Sequence, residues 1–101
     1  MVLHDLQIPN ETVSDFCRRH FIRRMSLFGS ILRPDFGPAS DIDVLVEFKD
    51  GHVPALEFFD MEEALSGLLG RKVDLHTPGF LSRYFRDDVR SRAQVIYADT
   101  R

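Results

Sequence analysis

One seven-residue segment limits the folds open to this chain more than any other part of its sequence. In residues 42–48, aliphatic or aromatic side chains occupy every second position. Because successive side chains of a strand point to opposite faces, this period of two predicts a strand with one face in the core. The core face carries the aliphatic residues, and the opposite face carries Asp41 and Asp43.

Short elements separated by Pro, Gly and polar residues make up the rest of the chain. A helix is predicted after Pro9, where the missing N–H costs nothing. Its apolar stripe, at i, i+3, i+4 and i+8, is Val13, Phe16, Cys17 and Phe21. Two further strands are predicted, over 24–28 and 72–75, and one or two helical turns fit within 30–40. A second helix ends at Gly70 and has an apolar face made of Phe58, Met61, Leu65, Leu68 and Leu69. A last helix over 81–92 is predicted to bury Leu81, Tyr84, Phe85 and Val89. Residues 95–97 fit a continuation of that helix or a further strand, so the order predicts an α/β (α+β) fold with about three strands.

Length and composition exclude several classes of protein. With 101 residues, the chain is expected to form one domain over 1–101. No apolar run approaches the roughly 18 residues of a membrane span, and no signal peptide is evident. The single cysteine, Cys17, excludes an internal disulfide and is expected to be a core thiol. A net charge of −3 argues against direct nucleic-acid binding, and a cytoplasmic location is expected.

Asp41 and Asp43 are the first candidates for chemistry. Two residues apart on a strand, their side chains leave the same face about 6.6 Å apart. Carboxylates held so close disfavour each other's charged form unless a cation lies between them. Mg²⁺ is the natural partner, since proteins hold it with one or two carboxylates plus substrate phosphates. The pair taken alone is more typical of a solvated strand face.

Two further features add to this pair. The predicted strand ending at Phe28 runs into Gly29-Ser30, where the free N–H groups of a helical turn and the Ser hydroxyl can bind phosphate. If the three strands share one sheet, Asp74 lies on the same face as the other two carboxylates. Three carboxylates can hold two metal ions, or one ion and a base. A ligand shared by Ser30 and Asp41 requires their two strands to run antiparallel if they are adjacent.

The spacing of these residues resembles a known family. Gly29-Ser30, ten residues and then Asp41-Ile42-Asp43 is similar to the signature of the DNA polymerase β-like nucleotidyltransferases. The resemblance is strongest to the minimal nucleotidyltransferases, the MNT half of HEPN/MNT toxin–antitoxin pairs. Residues 16–20, 27–30, 40–46 and 69–75 also follow the family pattern. The fold implied is the polymerase β-like palm, a small mixed sheet flanked by helices.

The resemblance also implies a role for each residue. Gly29 and Ser30 would cradle the phosphates of a nucleotide. Asp41, Asp43 and Asp74 would hold Mg²⁺, with two ions expected, and Asp74 would help to deprotonate the acceptor hydroxyl. Arg33 lies where the family usually carries an arginine; it would contact phosphate or pair with Asp35 on the surface.

The biological role implied by the resemblance is that of an antitoxin. Such an enzyme transfers AMP from ATP to a tyrosine near the active site of its cognate HEPN ribonuclease toxin (AMPylation), which neutralises the toxin. Too few residues follow Asp74 for a separate acceptor domain, which favours a protein acceptor. A nucleotide-binding antitoxin that masks its partner without chemistry is the alternative, and an antibiotic-modifying nucleotidyltransferase is a third.

Two features outside this site remain open. His76 lies two residues after Asp74, at the spacing that would bring it to the rim of the site. Arg83, Arg86 and Arg90 recur at i, i+3 and i+7, which predicts a basic face on the last helix. That face suits an acidic partner, although a solvated face is the more usual explanation for such a pattern.

Overall fold

A central four-stranded sheet contains the alternating segment. A computed structural model describes residues 2–4, 6–81 and 83–99 of the chain. The strands are β1 (Val2–Leu3), β2 (Leu6–Gln7), β3 (Ile22–Phe28), β4 (Ile42–Phe48), β5 (Val73–His76) and β6 (Gln94–Ala98). The helices are α1 (Asn10–Arg19), α2 (Glu57–Leu69) and α3 (Arg83–Arg92), with 3₁₀ turns at Gly29–Leu32 and Pro78–Phe80. In the described ranges, no helix is long and apolar enough to cross a membrane.

The strand order β5-β4-β3-β6 determines how the candidate residues meet. β3 runs antiparallel to β4 and pairs Phe28 with Asp43, which confirms the antiparallel arrangement required for Ser30 and Asp41 to be close. β4 runs parallel to β5 and pairs Asp43 with Asp74. Because paired residues point to the same face, Asp74 shares the face of Asp43, as predicted.

The structure decides between the two alternatives that the sequence left open for residues 95–97, which lie in a strand. The sheet has four strands rather than three, because residues 94–98 pair antiparallel with β3 as its edge strand. β1 and β2 form a separate two-stranded hairpin that was not predicted. Two-residue strands are too short to show a period, so the sequence pattern carries no signal for them.

One face of the sheet packs against α1 and α2 to form the core. The aliphatic residues of β4 are fully buried there, with Val13, Phe16 and Cys17 of α1 and Met61, Leu65 and Leu69 of α2. Burial raises the pKa of the Cys17 thiol to about 12, so the thiol is protonated at neutral pH, as expected of a core cysteine. Gly70 ends α2 in the left-handed conformation, as predicted.

Phe21 is the exception to the predicted stripe of α1. The helix ends at Arg19, and Phe21 has a φ of +58° and a side chain that is 47% exposed. Its ring stacks on His52 at 4.0 Å between centroids. The next residue, Ile22 at the start of β3, is fully buried, so Ile22 rather than Phe21 contributes to the core.

The apolar residues of α3 were also placed wrongly. None of the described side chains of this helix is buried, and Tyr84 and Phe85 are 81% and 64% exposed. Leu68 of α2, predicted in the core, is 37% exposed. Apolar residues at helical spacing indicate which face of a helix is less polar, but they do not show whether another element covers that face.

The sheet face that carries Asp43 is more enclosed than a solvated face. Leu45 and Glu47, which share this face, are 2% and 7% exposed. The Glu47 carboxylate accepts a hydrogen bond from Arg90 of α3 and lies 3.6 and 3.8 Å from the guanidinium groups of Arg23 and Arg24. A buried carboxylate is stable only when cations or hydrogen-bond donors surround it, and three arginines do so here.

Glu47→Ala is expected to lower the free energy of unfolding by about 2–3 kcal/mol, because it removes a buried carboxylate that three arginines surround. This value is at or below the range for a fully buried pair, since the arginines are partly exposed. Urea unfolding at neutral pH measures the loss. The control is Glu63→Ala, which truncates an exposed glutamate of α2 and should change stability by no more than about 0.5 kcal/mol. Equal losses in the two variants would show that the arginine cluster does not stabilise the fold.

Candidate functional site

Asp43 lies at the centre of the candidate site because its neighbours on both sides carry the other predicted residues. On one side β3 ends at Phe28, its pairing partner, and continues directly into the Gly29-Ser30 turn. On the other side β5 places Asp74 opposite it. The sheet register therefore gathers the turn and these two carboxylates at one end of β4.

Gly29 makes the closest approach in the site. Its φ is +75°, in the left-handed region that glycine adopts without strain. A Cβ atom built at this position would lie 2.2 Å from Oδ2 of Asp43 and 3.1 Å from its Cγ. Only glycine therefore allows the Asp43 carboxylate to pack directly against the backbone of the turn.

Asp41 lies one residue before β4 and is tied to both neighbouring segments. The Ser30 hydroxyl donates to its carbonyl oxygen at 3.5 Å, which links the turn to the start of β4. The Asp41 carboxylate lies 3.8 Å from Nζ of Lys72. The Lys72 carbonyl in turn accepts a hydrogen bond from the Ile42 amide at 2.9 Å. The end of β3 thus meets the start of β4, as a ligand shared by Ser30 and Asp41 requires.

The electrostatics of the site centre on the Asp43 carboxyl group. Partial burial raises its pKa above the usual range, the His76 ring opposes this, and the nearby carboxylates of Asp74 and Asp41 raise it further. His76 Nε2 lies 3.6 Å from Asp43 Oδ1, beyond hydrogen-bond distance, and this buried nitrogen has no hydrogen-bond partner among the described residues. A carboxylate in these surroundings gains from a bound cation.

Arg71 holds the loop that leads into the site. Its guanidinium donates to the carbonyl oxygens of Gly37 and Ser40 and lies 4.8 Å from the ring centroid of Phe36. These contacts fix the segment that joins the Gly29-Ser30 turn to Asp41.

The donor set fits Mg²⁺, although the protein does not provide a complete cage. Within residues 2–4, 6–81 and 83–99, no three carboxylate, imidazole or thiol groups lie close enough to hold a metal ion by themselves. Mg²⁺ does not require such a cage, since it typically takes one or two carboxylates and completes its shell with water and phosphate oxygens. The carboxylate oxygens of Asp41 and Asp43 beside the Gly29-Ser30 turn meet the first part of that requirement.

The sequence pattern indicated only weakly that some residues around the site would lie there. Asp74 and His76 of β5 and Lys72, the residue before β5, alternate at period two and lie on the site side, which was expected for His76 but not for Lys72. The role of Arg71 had no signal, because its carbonyl partners are more than 30 residues away in the chain. Arg33 forms an ion pair with Asp35 at 3.5 Å, one of the two arrangements expected for it.

Comparison with known sequences identifies relatives over most of the chain. The nucleotidyltransferase domain family matches residues 10–96. Protein adenylyltransferase MntA of Thermococcus cleftensis is 41% identical over 56% of this chain and 57% of its own length. A Methanocaldococcus jannaschii protein, provisionally named a protein adenylyltransferase, is 39% identical over 66% of this chain and 76% of its own length.

Solved structures share the fold. One, provisionally described as a minimal nucleotidyltransferase, is 36% identical with a TM-score of 0.70, over 83% of this chain and 85% of that one. A toxin–antitoxin structure with AMP-PNP has a TM-score of 0.73 over 92% and 76% of the two chains, at 19% identity. The Shewanella oneidensis complex of a tri-AMPylated HEPN toxin with its MNT antitoxin has a TM-score of 0.64 over 89% and 70%, at 20% identity. At such identities the last two show the fold alone.

Gly29→Ala is expected to displace the Asp43 carboxylate, because the new methyl group would occupy its position. The backbone strain adds about 1–2 kcal/mol of destabilisation. Gly51→Ala is the matched control, since Gly51 has a φ of +78° and a Cβ added there would meet nothing within 4 Å. NMR of the Asp43 carboxyl carbon should show a shifted resonance in the first variant alone. An unchanged resonance would mean that the turn does not position Asp43.

Asp43→Asn is expected to stabilise the fold at neutral pH in the absence of divalent cations. A raised pKa means that the folded state disfavours the charged form, so this group's contribution to stability falls as pH rises from about its ordinary value of 3.8 through the raised pKa. Asparagine removes that decline. Urea unfolding in EDTA, at pH 3 and pH 7, should show the gain only at the higher pH. A variant less stable than the parent chain at pH 7 would contradict this.

Proposed function

The chain belongs to the nucleotidyltransferase domain family and is a nucleotidyltransferase, and from this premise we propose that it is an AMPylating antitoxin. The proposed reaction is Mg²⁺-dependent transfer of AMP from ATP to a hydroxyl group, that of a tyrosine, on a cognate HEPN ribonuclease toxin. The modification neutralises the toxin.

The packing of the Asp43 carboxylate against Gly29, with Asp74 opposite it in the sheet, carries this proposal. A nucleotidyltransferase must hold a phosphate chain and carboxylates within contact of each other. The left-handed glycine removes the side chain that would otherwise separate them. The Ser30 hydroxyl donates to the Asp41 carbonyl oxygen, which links the turn directly to the start of β4.

The proposed step is an in-line displacement at the α-phosphorus of ATP. The acceptor oxygen forms a bond to that phosphorus as the bond to the bridging oxygen of pyrophosphate breaks. Gly29 and Ser30 bind and orient the phosphates, and Asp74 accepts the proton that the acceptor hydroxyl loses. Asp41, Asp43 and Asp74 would hold Mg²⁺ together with phosphate oxygens, and the bound ion would neutralise negative charge on the reacting oxygens.

Known relatives support the choice of acceptor and nucleotide. The Thermococcus cleftensis relative is named a protein adenylyltransferase, and two structures with this fold are toxin–antitoxin complexes, one with AMP-PNP and one with a tri-AMPylated HEPN toxin. These properties belong to those proteins. They favour a protein acceptor and an adenine nucleotide for this chain.

Incubation of the cognate HEPN protein with this chain, ATP and Mg²⁺ is expected to raise its intact mass by whole AMP units. The Asp41→Asn/Asp43→Asn variant should slow this transfer by about a hundredfold or more, because it removes charge stabilisation of the reacting groups. Intact-mass spectrometry measures the transfer, and peptide mapping identifies the modified residue.

The control for this experiment is Asp60→Asn, which neutralises an exposed aspartate on α2 and should transfer AMP at the parent rate. Toxin ribonuclease activity is measured in the same samples. If the double variant neutralises the toxin as well as the parent chain and the toxin mass is unchanged, the chain acts as a masking module. AMP found on a residue other than tyrosine would correct the acceptor alone.

A further inference from the structure

A cluster of arginines on the central sheet has fewer acidic partners than it has positive charges. Arg23 and Arg24 of β3 and Arg90 of α3 surround the single carboxylate of Glu47. Three guanidinium groups, which stay charged at any pH at which the protein is folded, thus share one negative charge. The cluster carries an excess of two positive charges.

A neighbouring ion pair leaves this excess unchanged. Asp99 lies next to the cluster, since its backbone amide donates to the carbonyl oxygen of Arg23 at 2.8 Å. The carboxylate of Asp99 lies 2.6 Å from Nζ of Lys49, so this pair adds one charge of each sign. Counted with the pair, four cations stand against two carboxylates, and the excess of two holds whichever ion pairs form.

Arg23 and Arg24 are the members of the cluster best placed to bind a ligand. Arg90 donates a hydrogen bond to the Glu47 carboxylate. The guanidinium groups of Arg23 and Arg24 lie 3.6 and 3.8 Å from that carboxylate, beyond hydrogen-bond distance, and their side chains are 56% and 53% exposed. Both can therefore turn N–H donors towards the carboxylates of another protein while Arg90 keeps Glu47 paired.

The cluster lies on the same sheet face as the candidate site. Glu47 and Asp43 are four residues apart on β4 and point to one face, so the cluster begins about 13 Å from the site. Tyr84 and Phe85 of α3, the helix that provides Arg90, are 81% and 64% exposed. Exposed aromatic and arginine side chains are typical of the residues that contribute most to protein–protein binding.

We propose that Arg23 and Arg24 form a docking surface for an acidic segment of the acceptor protein. This inference rests on the proposed function, in which a protein brings a hydroxyl group to Asp43 and Asp74. One protein can reach both places, because a typical interface covers about 800 Å² on each partner and is roughly 30 Å across. A nucleic acid is disfavoured, since the chain has a net charge of −3 and the carboxylates of the site repel a phosphate backbone on this face.

Arg23→Gln/Arg24→Gln is the test, with the cognate HEPN protein as the probe and no ATP present. At low salt the association rate constant should fall about tenfold, because long-range attraction between opposite charges accelerates association. The difference should disappear at high salt, where exposed charges are screened. Circular dichroism checks that the variant folds. Arg24→Gln alone leaves two arginines at Glu47 and should show part of the loss, so it provides the measurement if the double variant does not fold.

Arg18→Gln/Arg19→Gln is the matched control. It removes the same two charges from an exposed pair on α1, which packs against the opposite face of the sheet, and should associate at about the parent rate. Equal rates for the parent chain and Arg23→Gln/Arg24→Gln, or equal losses in both double variants, would overturn the proposal. Weaker binding of a single-stranded RNA by Arg23→Gln/Arg24→Gln, with HEPN association unchanged, would assign the arginines to nucleic acid and overturn it too.

The same variants separate this inference from the proposed function. Association that depends on Arg23 and Arg24, in a complex that transfers no AMP, would support the docking surface and refute the proposed transfer. AMP transfer with an association rate that does not depend on these arginines would support the proposed transfer and refute the docking surface.

Discussion

The contact between the Asp43 carboxylate and the backbone of Gly29 is the constraint on which the rest of the site depends. It requires a residue without a side chain, in a left-handed conformation, immediately after a strand that pairs with the strand of Asp43. The antiparallel pairing of β3 with β4 brings the two residues together, and the parallel pairing of β4 with β5 adds Asp74. Three separate parts of the chain thus meet because the strand register pairs Asp43 with Phe28 on one side and with Asp74 on the other.

The contact between Gly29 and Asp43 places the Asp43 carboxyl group where its charged form is disfavoured. Partial burial and two neighbouring carboxylates both disfavour the ionised form of Asp43. The same face of β4 carries Glu47, which is more deeply buried but has three arginines around it. The contrast separates two environments of an enclosed carboxylate: three arginines surround Glu47, whereas the carboxylates of Asp74 and Asp41 lie near Asp43.

The terminal helix joins these two regions. Arg90 of α3 reaches Glu47, while Asp88 and Arg92 of the same helix line a cavity beside Gly29. The helix has no buried side chain among those described, so its polar contacts do more to define its position than apolar packing does.

The sequence by itself determined the features that depend on local spacing. The period of two in residues 42–48 identified β4 and the face of Asp43, and the Gly-Ser-x10-Asp-x-Asp spacing indicated the family and the candidate site. Tertiary structure alone decided the pairing of β6 with β3, the exposure of Tyr84 and Phe85, the burial of Glu47 and the anchoring of the loop by Arg71. The physical reason is that periodicity records only the direction in which a side chain leaves its own element. Which other element covers that side chain, or which distant carbonyl it reaches, depends on contacts between residues far apart in the chain.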